Sequence, residues 1–133
     1  MIRTDIDIKD ALYAWITPSD LAKAVSGSVY KDSRPLNSDK EDITIAVLAR
    51  DAGAQMQEAT VNVNIYVPDI RRGKEFIENS PRLRTLATAA ASLFEYKQGS
   101  DYIITLASQE VLKVNGIDWH AINNRLRVRY KNE

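Results

Sequence analysis

The chain of 133 residues has no cysteine and one histidine, His120. Without cysteine there can be no disulfide, thiolate metal site, iron–sulfur cluster or thiol nucleophile. A single histidine also rules out the clustered His and Cys ligands of a zinc centre. Glycine and proline are sparse, at five and four residues, and no two glycines lie close enough to form a phosphate-cradling loop. No apolar run approaches the ~18 residues that span a bilayer. The opening Met1-Ile2-Arg3-Thr4-Asp5 lacks the basic stretch and apolar run of a secretory leader. Charge of one sign is not in excess either. Eighteen basic and eighteen acidic side chains cancel, which removes the broad field of a general nucleic-acid or membrane-surface binder. The expectation is a soluble, intracellular-type domain covering residues 1–133, with no cofactor and no metal. A domain of this length buries ~65–70% of its unfolded surface, enough for a core of its own.

The apolar pattern predicts the elements. Ile8, Ala11, Leu12, Trp15 and Ile16 recur at helical spacing, with Thr4 or Asp5 as the cap. Thr17-Pro18-Ser19-Asp20-Leu21 reads as a second helix, with Thr17 as N-cap, Pro18 first in the helix, and Gly27 beyond its end. Ser28 to Lys31 reads as a short strand. Ile43, Ile45, Val47 and Ala49 alternate with other residues, and Val61, Val63, Ile65 and Val67 do so more cleanly, opposite Thr60, Asn62, Asn64 and Tyr66. With Asp51-Ala52-Gly53-Ala54 between them, these two runs predict an antiparallel hairpin. A turn of helix is expected over Arg72 to Glu78. A longer helix follows, capped by Ser80 with Pro81 in its first position, carrying Leu83, Leu86, Ala87, Ala90, Leu93 and Phe94 on one face and ended by Gly99. Asn115-Gly116 between alternating runs predicts a last hairpin of Tyr102–Val114 and Asp118–Tyr130. Antiparallel strands with grouped helices imply an α+β, two-layer domain of about five strands, one packed helix and N-terminal helices.

Catalytic constellations are absent from the linear sequence. His120 has no local serine and carboxylate beside it, so a surface or packing role is expected. Asp5 and Asp7 suit a helix start, and Glu41-Asp42 the mouth of a strand, better than a glycosidase pair. The chain reads as non-catalytic. Its most unusual feature is the last strand. Ile122, Leu126, Val128 and Tyr130 share one face, and Asn123, Arg125, Arg127 and Arg129 share the other. Residues two apart on a strand are ~6.6–6.8 Å apart, so the three arginines form a ladder about 13 Å long. Three uses suit it: a solvated face paired with neighbouring acids, a contact with a partner's carboxylates, or a contact with phosphate. The polar loop Asp32 to Asp42, with Arg34-Pro35 at its middle, is a second candidate contact, and the neutral Thr60/Asn62/Asn64 face a third.

Val29-Tyr30-Lys31, the loop Arg34-Pro35-Leu36-Asn37-Ser38-Asp39-Lys40-Glu41-Asp42-Ile43, and Val61-Asn62-Val63-Asn64-Ile65-Tyr66-Val67-Pro68 together carry a resemblance. The chain resembles short proteins from prophages and mobile elements of gut Bacteroidetes, whose layout is similar to phage tail-completion and tail-terminator (head–tail joining) proteins. That resemblance implies a structural subunit that closes or joins a tail by forming a ring with copies of itself and with other tail or neck proteins. It implies assembly in the host cytoplasm and residence in the virion tail, with DNA passing through the ring. Arg125, Arg127 and Arg129 would then meet an acidic patch on the next subunit or line the channel, with Asp39, Glu41 and Asp42 as the complement. A small adaptor binding one partner through the Arg34 loop, and a nucleic-acid module using the arginine ladder, are the alternatives.

Overall fold

The computed structural model describes residues 4–52 and 56–131. The hairpin connection at Gly53-Ala54 and the opening Met1-Ile2-Arg3 lie outside the described residues. Helix α1 (Asp5–Ile16) starts from a reciprocal cap: Thr4 Oγ1 accepts from the Asp7 amide at 3.1 Å, and Asp7 Oδ2 accepts from the Thr4 amide at 2.9 Å. This satisfies two donors that a helix start otherwise leaves open. Its buried stripe is Ile8, Leu12 and Ile16, narrower than the predicted one: Trp15 is half-buried and Ala11 exposed. Thr17 does not cap the next helix. Its amide and hydroxyl both donate to Tyr13 O, at 3.0 and 2.7 Å, and so close α1. Ser19 takes the N-cap of the short α2 (Asp20–Ala24) in its place.

Strands β1 (Val29–Lys31), β2 (Ile43–Ala52), β3 (Met56–Pro68), β6 (Tyr96–Gln98), β7 (Tyr102–Lys113) and β8 (Trp119–Lys131) form one sheet in the order β1-β2-β3-β8-β7-β6. Only the β1–β2 pair is parallel. The expected five-strand sheet is thus a six-stranded mixed one, because Tyr96–Gln98 is a strand and not the end of the preceding helix. That helix, α3 (Ser80–Phe94), stops short and is capped by Asn79 Oδ1, not by Ser80. The chain over Arg72 to Glu78 is also not helical. Strands β4 (Ile70–Arg72) and β5 (Glu75–Ile77) make a separate two-stranded sheet, turned at Gly73, whose φ of 62° lies in the left-handed region. Glycine enters that region without steric cost, and the chain reverses there before a helical turn can close.

The centre of the molecule is the β3–β8 pair, matched residue for residue from Met56↔Lys131 to Pro68↔Trp119. Ala59, Val61, Val63, Ile65 and Val67 face Ile122, Leu126 and Val128 on one side, and all are buried. Helices α1 and α3 bring Ile8, Leu12, Ile16, Leu83, Leu86, Ala90 and Phe94 into the same core. Trp15 meets Phe94 edge-on at 5.7 Å between ring centres. Two buried polar residues, Gln57 and Asn124, interrupt the apolar face. Asn124 is fully buried, donates to Val63 O at 3.1 Å and accepts from Gln109 Nε2 at 2.7 Å; Gln109 also reaches Ala87 O of α3. The row Val47, Val61, Leu126 and Leu106 is flanked by two bulges, one after Val47 and one after Leu106. Each extra residue bends its strand and increases the twist. Beyond the first bulge the alternation of β2 reverses, so Ala49, expected on the apolar face, pairs with Thr60 and is exposed.

Gly27 sits where α2 leads into β1. A side chain there would fall 2.5 Å from Glu41 O and inside the contact radius of Asp42 Oδ1. Gly27→Ala should therefore lower stability by about 2 kcal/mol, as overpacking of a filled site does. A urea titration at pH 7 should show an earlier midpoint with an unchanged slope.

Candidate interaction surface

The outward face of β8 carries the arginine ladder. Arg125, Arg127 and Arg129 are exposed, while Leu126, Val128 and Tyr130 between them are buried. Across the sheet they stand opposite Asn62, Thr60 and Glu58 of β3. Arg127 Nε lies 2.9 Å from Glu58 Oε1, with both side chains about half exposed, so this pair contributes little to stability. Arg125 and Arg129 make no ion pair with any described residue. Lys131 adds a fourth cation one alternate position further on, and it is exposed. The same two-residue step that revealed the arginines points to it in the sequence. Asn123, grouped with them by alternation, is buried and donates to Asn64 Oδ1 at 2.7 Å. The open ladder begins at Arg125.

The loop before β2 is built differently. Arg34 turns inward: its guanidinium lies 4.7 Å from the Tyr66 ring centre and 4.2 Å from that of Trp119. It donates to Ser38 O and Lys40 O, both at 3.0 Å, and its Nε is 3.3 Å from Asp42 Oδ2. Arg34 thus stacks on two aromatic faces while closing the loop on itself. Asp42 is buried and accepts from the Ser28 amide at 3.2 Å and from the Ser38 hydroxyl. Glu41 receives a fork from Arg82 of α3, with Nε and Nη2 each 2.7 Å from a carboxylate oxygen, plus the Ser26 amide at 3.1 Å. Arg82 also donates to Ala24 O at 2.6 Å, so one guanidinium ties α2, α3 and the loop together. The hydrogen bond from Arg82 holds the Glu41 carboxyl below its ordinary range; partial burial opposes this and the Ser26 amide adds to it. The same bond raises Arg82.

Of the sequence candidates, the structure brings Arg34, Glu41 and Asp42 into one internal polar knot. Arg125, Arg127, Arg129 and Asp39 stay on the surface. His120 pairs instead with a residue the sequence did not single out: its Nδ1 is 2.6 Å from Asp69 Oδ1, with the Asp69 side chain 1% exposed. This contact joins the exit of β3 to the start of β8, a packing role for His120. Asp7 serves the cap of α1, and Asp5 accepts from Arg50 Nε at 2.9 Å. Among the described residues no group of three or more acidic or histidine side chains could hold a metal ion. No helix of the described residues is long and apolar enough to cross a membrane.

No protein-family model and no curated protein matches the chain. Among solved structures, it is similar to a chain in the virion of a native gene transfer agent particle, with a TM-score of 0.57 and 16% identity. The match covers 94% of this chain and 95% of that one. At that identity the likeness establishes a shared α+β fold, end to end.

Glu41→Gln should cost about 2 kcal/mol at pH 7, because Arg82 would lose its charged partner. A carboxyl held below its ordinary value stabilises the fold above the unfolded-state pKa of about 4.3, and that contribution is lost as pH falls through the folded-state value. The gap between wild type and Glu41→Gln in urea midpoint should therefore close as pH drops below the glutamate range.

Proposed function

We propose that this chain is a non-catalytic structural subunit of a phage-like virion, acting at the end or neck of a tail. It would close or join the tube by association with copies of itself and with neighbouring tail proteins. The observation that carries this reading is the likeness, along nearly the whole of both chains, to a chain of a gene transfer agent virion. Two features support it. The outward face of β8 from Arg125 to Lys131 is an exposed cationic ladder, suited to repeated contacts with carboxylates. The remaining polar loop is tied down internally, as befits a rigid brick. Head-to-tail contacts between identical subunits close into a ring when the rotation per subunit divides the circle. The subunit would be made in the host cytoplasm and carried in the particle.

Particles induced from cells carrying the gene should contain the chain, detected by mass spectrometry of gradient-purified virions and placed by immunogold at one end of the tail. Absence from purified particles would overturn the reading. Arg127→Glu should reduce incorporation about tenfold while leaving the circular-dichroism spectrum and urea midpoint nearly unchanged, since an exposed pair contributes at most ~1 kcal/mol. Full incorporation of that variant would remove the ladder from the contact surface.

A further inference from the structure

The β4–β5 sheet is an isolated arm. Its two strands of three residues pack extensively only on each other, and every residue but Ile77 is exposed. Ile70 is 43% and Phe76 49% exposed. Ile70 and Phe76 lie on opposite faces of the arm; a free two-stranded hairpin is at best marginally stable in water, so a contact that covers Phe76 would stabilise it. The arm is also cationic on the Phe76 face. Arg71 lies against the Phe76 ring, and Lys74, at the turn, has no partner among the described residues. Arg72, on the opposite face, is neutralised by Glu75 at 2.8 Å.

A complementary surface lies on the outer flank of α3. Pro18, Ser19, Asp20, Leu21, Ala89, Ser92 and Leu93 border an open groove of about 630 Å³. Across Ser92 it adjoins a second hollow, of about 400 Å³, lined by Ala91, Glu95 and Leu106. Asp20 and Glu95 are exposed, without side-chain partners among the described residues, and no basic side chain lines either hollow. The two hollows are lined by apolar and hydroxyl side chains with one acid each, Asp20 in the first and Glu95 in the second, a charge complement to an arm with an aromatic centre and cationic surroundings.

The arm cannot reach this groove in its own molecule. It is rooted at Asn79, which caps α3, and Ser92 lies about 20 Å further along the helix axis at 1.5 Å per residue. An arm of three-residue strands extends only about 10 Å. We propose that the β4–β5 arm of one copy docks in the α2–α3 groove of the next, Phe76 entering beside Ser92 with Arg71 and Lys74 facing Asp20 and Glu95. The two surfaces lie at opposite ends of α3, so the contact is head-to-tail and repeats from copy to copy. It rests on the virion-subunit reading for its context and supplies the contact by which copies associate.

The absence of native cysteine gives a clean test. Chains carrying Lys74→Cys and chains carrying Ser92→Cys, mixed and oxidised, should give a mixed disulfide dimer in at least about tenfold greater yield than Lys74→Cys with Asn115→Cys, an exposed control. Adding Phe76→Asp to the first chain should return the yield to the control level. Without engineered cysteines, Arg71→Glu with Lys74→Glu should weaken self-association about tenfold in sedimentation equilibrium, and Asp20→Lys with Glu95→Lys should restore it. A yield no higher than the control, a yield unchanged by Phe76→Asp, or no restoration by the charge exchange each overturns the arm contact. Those results leave the virion reading standing if the chain is found in particles. A mixed disulfide from a chain absent from particles would instead overturn the virion reading and keep the arm.

Discussion

The residue-for-residue pairing of β3 with β8 is the constraint on which the rest of the molecule depends. Two long strands with period-two alternation keep both apolar sets on one face only in registers an even number of residues apart, and a slip of one residue would turn every side chain over. In the register observed, Val61, Val63 and Ile65 and their β8 partners form the floor on which α1 and α3 sit. The arginines between Leu126 and Tyr130 are then necessarily outside. The cationic ladder is thus a by-product of core packing as much as a surface feature, and the strand that carries it is held by the core behind it. Bulges on the strands flanking this pair, in one row, allow the sheet to bend without disturbing its central register.

A second constraint is electrostatic. The long loop before β2 is held by charges placed where water reaches them poorly, and each has a partner of the right shape. Arg34 is stacked between Tyr66 and Trp119 and bonded to backbone carbonyls, and Asp42 accepts from a backbone amide and a hydroxyl. The Glu41–Arg82 fork then links this loop to α2 and α3. Buried charges left without such partners would cost several kcal/mol, so the knot holds as a unit. Its consequence for function is indirect. A loop that composition marks as a contact arm has Arg34, Glu41 and Asp42 committed to the fold, while Leu36 and Asp39 stay exposed, as do the β8 face, the β4–β5 hairpin and the α3 flank.

Much of this was legible in the chain. The helix start at Thr4, the strand alternation of β3, the Asn115-Gly116 hairpin and the outward arginines all follow from local periodicity and capping chemistry, which act over a few residues. The misreadings share a cause. Thr17, Ser80 and Ala49 were each displaced by an interaction within four residues: the hydroxyl of Thr17 closing α1 on Tyr13, Asn79 capping ahead of Ser80, and the bulge reversing β2. Tyr96–Gln98 has no strand pattern of its own and pairs only because β7 offers an edge.

Alone, the sequence determined which residues are apolar at which spacing, and hence the elements, the buried faces and the basic ribbon of the last strand. Only the tertiary structure decided the use of the charged and polar residues. Arg34 went inward against Tyr66 and Trp119, Glu41 met Arg82, Asp42 met the Ser28 amide and Asn124 was seated in the core, because a partner from another segment stood within reach. Periodicity is a property of one segment, whereas the satisfaction of a buried charge belongs to two segments brought together by the fold.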